Sequence, residues 1–130
     1  MAKVPAFISF AIEDERIRDL FVGQGRHSDT PWEIIDWSVY EPFDEQWKTK
    51  MRSRIKRCRV LILLVGKATY AAEGALWEVN CGLEEGVPAF GVWISKTDRG
   101  PTPSCFKAEN VIDWTWEGVG EMIRKADQMH

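Results

Sequence analysis

"RVLILLVG", residues 59–66, decides the fold. Six aliphatic residues follow one another with no polar member, too few for a membrane span and without the alternation of a half-solvated strand. Such a run is expected of a central parallel strand covered on both faces. Downstream, "GALWEVNCGLEEG" (74–86) reads as a helix and "PAFGVWIS" (88–95) as a strand. A long loop, "KTDRGPTPSCFKAE" (96–109), leads to a short strand, "NVIDWT" (110–115), and a closing helix, "WEGVGEMIRKADQM" (116–129). Upstream, "VPAFISF" (4–10) is a strand and "EDERIRDLFVGQG" (13–25) a helix whose acidic start suits the helix dipole. "WEIIDWSV" (32–39) is the second strand, and "YEPFDEQ" (40–46) is a loop into a basic helix.

Five strands alternating with helices predict an α/β, flavodoxin-like three-layer sandwich. Its five-stranded parallel sheet has the expected order 2-1-3-4-5, with helices on both faces. Ligands in such sheets bind beyond the carboxyl ends of the strands, near the switch point beside the first strand. The segments to watch are therefore Phe10–Asp14, Trp37–Asp44 and Gly66–Thr69, with the facing side of the third helix.

The 130 residues, 45% hydrophobic and 28% charged, fit a single domain spanning 1–130. The opening "MAKVPAFISF" lacks the apolar run and cleavage site of a signal peptide, and no membrane-length apolar window exists, so a cytoplasmic protein is expected. Three cysteines without CxxC spacing (Cys58, Cys81, Cys105) are expected as packed, reduced thiols. With only His27 and His130 besides, no metal centre of His/Cys type is expected. Charge is unevenly spread: "KTKMRSRIKRCR" (48–59) holds seven bases, whereas residues 1–47 hold ten acids against four bases. Trp47, Met51, Ile55 and Cys58 mark one apolar stripe through that run, so its bases read as the solvated faces of a helix rather than a nucleic-acid site.

Several chemistries are disfavoured. The run after the first strand, "SFAIEDE", has none of the glycines of a dinucleotide fingerprint and no hydroxyl-rich flavin phosphate loop. A phosphoreceiver would use acids such as Glu13 and Asp14 but also needs an Asp ending the third strand, which "VLILLVGKAT" lacks. No GxSxG elbow, P-loop or HExxH occurs. What remains is Glu78, inside the otherwise apolar "ALWEVNCG". Ala75, Leu76, Val79 and Leu83 are expected to pack on the sheet, which puts Glu78 at the border of that face, with Trp77 as an aromatic wall and Gly82 leaving space above it. A carboxylate beside an open, partly apolar cleft, as expected here, suits cleavage of an N-glycosidic bond to a cationic base. Nicotinamide leaves NAD+ as a neutral molecule, so one anion that holds the ribose and stabilises oxocarbenium charge suffices.

The order and spacing of these segments resemble the TIR domains, and within them the Thoeris anti-phage branch of TIR-like proteins. "AFISFAIEDERI" resembles the opening TIR box, and "DWSVYEPFDEQW" the second strand and the loop bordering the nucleotide site. "VLILLVGKATYAAEGALWEVNCGLEEG" resembles the third strand and the helix that carries the catalytic Glu, here Glu78. "RGPTPSCF" resembles the Gly-Pro-x-Pro-Phe segment of the Thoeris branch, with Ser104 and Cys105 inserted before Phe106. TIR enzymes usually carry Trp four residues before the catalytic Glu; this chain has Gly74 there and Trp77 directly before Glu78.

The resemblance implies an enzyme that cleaves NAD+ at the nicotinamide–ribose bond, releasing ADP-ribose or a cyclic isomer that signals to a partner effector. NAD+ is then the substrate, with no cofactor and no metal, and activity depends on self-association through TIR contacts. Neither nucleic acid nor membrane is an expected partner. Besides Glu78, the candidate substrate contacts are Ser9, Phe10, Ala11, Trp37, Lys67 and Trp77. Arg99 is a further phosphate candidate, and Tyr70 is expected to pack under the loop. The alternative is a catalytically silent TIR or receiver-like adaptor acting through protein contacts.

Overall fold

The computed structural model describes residues 3–11, 14–25, 30, 32–37 and 44–128; of residues 24, 25, 36 and 37 it describes the backbone only. Strands β1 (Val4–Ser9), β2 (Trp32–Trp37), β3 (Val60–Val65), β4 (Ala89–Trp93) and β5 (Val111–Asp113) form one sheet in the order β2-β1-β3-β4-β5. Every pairing is parallel, as α/β crossovers dictate. Helices α1 (Glu15–Gly25), α2 (Glu45–Ile55), α3 (Glu73–Glu84) and α4 (Trp116–Gln128) connect the strands. No helix among the described residues is long and apolar enough to cross a membrane.

All six residues of β3 are buried, so both of its faces are covered. On one face, Leu61, Leu63 and Val65 pack with Phe7 against α2 and α3. On the other, Val60, Ile62 and Leu64 pack with Ala6 and Ile8 against Phe21 of α1 and Val119 and Ile123 of α4. The alternation along β1 continues to its end, which puts Ser9 on the α2/α3 side with Phe7 and sends Phe10 to the side of α1.

Helix α2 starts sooner than the sequence suggests. Asp44 caps it, its Oδ1 accepting the Trp47 N–H at 2.9 Å, so Glu45 and Gln46 lie in the helix rather than in a loop. Its stripe of Trp47, Met51 and Ile55 is buried as expected, and Cys58 packs just beyond the helix end. Helix α3 ends in a Schellman motif: Val87 N–H donates to the Gly82 carbonyl at 2.7 Å and Gly86 N–H to that of Leu83 at 3.2 Å. Gly86, at φ 76°, supplies the left-handed residue that this turn demands. A short 3-10 helix, Thr69–Ala71, unforeseen in the sequence, joins β3 to α3. Tyr70 within it is 49% exposed, so it does not pack beneath the loop. All three cysteines are free thiols.

Candidate functional site

The buried face of α3 consists of Ala75, Glu78, Val79, Cys81 and Gly82. The expected face shared Ala75 and Val79 with this one but placed Leu83 inward and Glu78 at its border. Leu83 is instead 48% exposed, and Glu78, at 1%, occupies the centre. Gly82 is the reason α3 can roll this way. A Cβ there would come within 3.3 Å of Leu61 Cδ1 and 3.7 Å of Ile55 Cγ2, so the missing side chain lets the helix sit closely on β3 and α2 rather than leaving space above the carboxylate.

A carboxylate inside a protein needs donors. Ser9, at the carboxyl end of β1 and wholly buried, donates from Oγ to Glu78 Oε1 at 2.6 Å, the length of a hydroxyl bond to a charged acceptor. The same Oγ lies 3.4 Å from the Ala75 carbonyl. Glu78 Oε2 is buried as well. The acid is therefore on the ligand-bearing side of the sheet, at the end of the strand next to the switch point, but closed to solvent.

Around this pair the rim is tightly built. Gly66 ends β3, and its N–H donates to Thr69 Oγ1 at 2.7 Å, which folds the chain into the 3-10 turn. Thr69, the end of the segment Gly66–Thr69 singled out in the sequence, is fully buried; its turn-forming role was unforeseen, though a hydroxyl three residues after a glycine that follows a strand is the signal for such a turn. Asp14 leans over Gly66, its Oδ2 2.7 Å from where a Cβ would be. The loop after β4 crosses the same rim. Gly100 lies directly on the Lys67 backbone carbonyl, leaving no room for any side chain there.

The other candidates are dispersed. Phe10 packs on the α1/α4 side, with the Arg18 guanidinium 5.3 Å over its ring, so the sheet separates it from Glu78. Ala11 is buried in the turn after β1, where its carbonyl accepts the Asp14 N–H at 2.9 Å. Lys67 is exposed and lies 3.7 Å from Asp98. Arg99 donates to Asp113 and to the Ser95 carbonyl, both at 2.6 Å, and stacks 5.0 Å from the Trp93 ring, holding the loop to β4 and β5. Trp77 is turned to α2, its ring 5.4 Å from that of Trp47 and 5.7 Å from the Arg52 guanidinium. Trp47 also lies 3.8 Å from where a Gly74 Cβ would be, so an indole from α2 stands beside the position where TIR enzymes carry Trp. Trp37 ends β2, but its side chain, like Glu13 and loop residues 38–43, lies outside the described residues.

Of the basic run, Arg52 bonds Glu85 at 2.8 Å and Glu84 at 3.2 Å, and these bonds hold its guanidinium charged to still higher pH. It ties α2 to α3. Burial pushes the neighbouring Cys81 thiol up, which keeps it protonated and unreactive.

A family model described as "Thoeris protein ThsB, TIR-like domain" matches residues 7–99, a span containing both Ser9 and Glu78. Among curated proteins, no sequence match is found. Among solved structures, the chain is similar to a diflavin flavoprotein A3 from Nostoc sp., at 12% identity and a TM-score of 0.50, over 99% of this chain and 92% of that one. At that identity the likeness carries the flavodoxin-like fold alone.

Proposed function

The chain belongs to the family of Thoeris ThsB TIR-like domains, and on that premise we propose that it is an NAD+-consuming enzyme with Glu78 as its catalytic carboxylate. One observation carries the reading: an acid 1% exposed, bonded at 2.6 Å by Ser9 at the carboxyl end of β1. Taking a carboxylate out of water costs several kcal/mol even when it is hydrogen-bonded. A leucine or glutamine would fill the same volume without that cost, so the charge itself has a use.

That use is at the ribose. As the C–N bond to nicotinamide breaks, its electron pair leaves with the neutral base and positive charge develops on the sugar. Glu78, held in a water-poor pocket, stabilises that charge and accepts hydrogen bonds from the ribose hydroxyls. The vacated carbon is then taken by an oxygen nucleophile that loses its proton. Water gives ADP-ribose, and a hydroxyl of the same molecule gives a cyclic isomer. We assign a cyclic ADP-ribose-type product, a diffusible signal to a partner effector in cytoplasmic anti-phage defence, which requires that bound NAD+ itself keep water from the opened site. NAD+ enters only after the rim over Ser9 opens, and self-association of the domain is the event we assign to that opening.

The same burial favours a second reading, in which Glu78 is a structural acid and the domain is a silent adaptor working by protein contacts. The two separate on one measurement. Concentrated wild-type protein and Glu78→Gln are each mixed with NAD+, and the nucleotides are identified by mass spectrometry, alongside extracts of infected cells. Nicotinamide release by wild type alone supports the enzyme. NAD+ left intact by both under assembled and infected conditions leaves the adaptor.

A further inference from the structure

We infer that Ser9 is a positioning residue for Glu78 rather than a contact for substrate. This rests on the catalytic reading of Glu78 given above. The hydroxyl has one proton and two acceptors in reach, Glu78 Oε1 at 2.6 Å and the Ala75 carbonyl at 3.4 Å. The first is short and charge-assisted, and the second is at the limit of a hydrogen bond, so the proton goes to the carboxylate. Ser9 and Glu78 are equally buried, so exposure does not separate their roles; what does is that the one Ser9 proton is already given to the carboxylate and none is left for ribose or phosphate.

The bond fixes more than one torsion. A glutamate has three side-chain torsions, and burial of Glu78 together with the Ser9 bond restricts them. Donation to Oε1 selects one rotation of the carboxylate. It also joins the end of β1 to α3 across 69 residues of sequence, so the acid is referenced to the sheet and not only to its helix. Backbone placement favours the same assignment. Ser9 is the last residue of β1 and pairs with Leu63 of the central strand β3, so it is placed by a regular element and not by a loop.

The test compares wild type, Ser9→Ala, Ser9→Thr and Glu78→Gln in NAD+ turnover. It adds urea unfolding of Ser9→Ala, Glu78→Ala and the double variant. Loss of a hydrogen bond to a charged group predicts a kcat for Ser9→Ala reduced about 10- to 100-fold, with KM within about threefold. Ser9→Thr, which restores the hydroxyl, recovers most of the loss. In unfolding, the two positions are expected to be coupled by about fivefold or more in the equilibrium constant. A Ser9→Ala enzyme with wild-type kcat, or one raised in KM alone, overturns the assignment, as does strict additivity in unfolding. If wild type and Glu78→Gln are equally inert while the unfolding coupling is present, the enzymatic reading fails and takes the catalytic role of Ser9 with it. The Glu78→Gln arm thus tells the two failures apart.

Discussion

The two faces of the sheet are built on different principles. Toward α1 and α4 the packing is apolar and aromatic: Phe21 lies 6.1 Å from the Trp32 ring and 5.5 Å from that of Trp114, and Trp32 lies 5.4 Å from Trp116. Ile62, Leu64 and Val92 fill the space beneath. Toward α2 and α3 the layer contains a buried acid, a buried serine and two buried thiols, Cys58 and Cys81. One face is held by area removed from water and by ring contacts. The other spends part of that stabilisation on desolvating Glu78. The difference teaches where to look for chemistry: not at the more polar surface, but at the face where a polar pair interrupts a core that apolar residues would have completed.

Mutations on the two faces should therefore separate stability from turnover. Phe21→Ala removes the ring that joins α1 to Trp32 and Trp114, and is expected to cost about 3–5 kcal/mol in urea unfolding. Glu78→Gln keeps an acceptor for Ser9 and removes the desolvated charge, so stability should hold or rise while NAD+ turnover falls about 100- to 1000-fold, a loss of transition-state stabilisation. A Glu78→Gln protein destabilised as severely as Phe21→Ala would erase the contrast and make the acid part of the scaffold. Arg99→Ala releases the loop after β4 from Asp113 and Trp93. About 1 kcal/mol of stability should go with it, seen as faster proteolytic nicking within residues 96–106. Smaller again is Arg52→Ala, whose effect on melting should vanish in high salt because its bonds to Glu84 and Glu85 lie at the surface. The thiols give the finest probe. Cys105 should react first with an alkylating reagent and the buried Cys58 and Cys81 only after unfolding. Burial raises Cys81 and Cys105 above the range of a free thiol. Their contribution to stability is thus complete below that range and is lost as pH climbs through it, a decline that melting curves above pH 8 should record.

The sheet was readable because its signals are local. An uninterrupted aliphatic β3 can be buried only on both faces, and strands separated by amphipathic helices leave a parallel order as the economical arrangement. The orientation of α3 was harder, since Ala75 and Val79 fit two rotations of the helix equally well. The rotation that buries Leu83 looks better if charged residues are kept out of the core. The correct one depends on Ser9, 69 residues away, as a donor, and on the absent side chain of Gly82, which admits Leu61. Neither fact is visible within the helix. Trp77 shows the same limit: its sequence neighbour is Glu78, but its spatial neighbours are Trp47 and Arg52 of α2. Phe10, one residue from Ser9, lies on the opposite face, as strand alternation requires.

The span between Ser9 and Glu78 also bears on how the molecule is born. As the polypeptide leaves the ribosome, β1 can meet β2 early, but its other neighbour, β3, and the helix bearing the acid are made much later. Until then Glu78 is an ordinary hydrated side chain, and the nascent protein has no means of reaction. Stripping water from the carboxylate thus waits until α3 can pack on β1 and β3. On the proposed reading of Glu78, the chain therefore stays inert until α3 has docked on the end of β1.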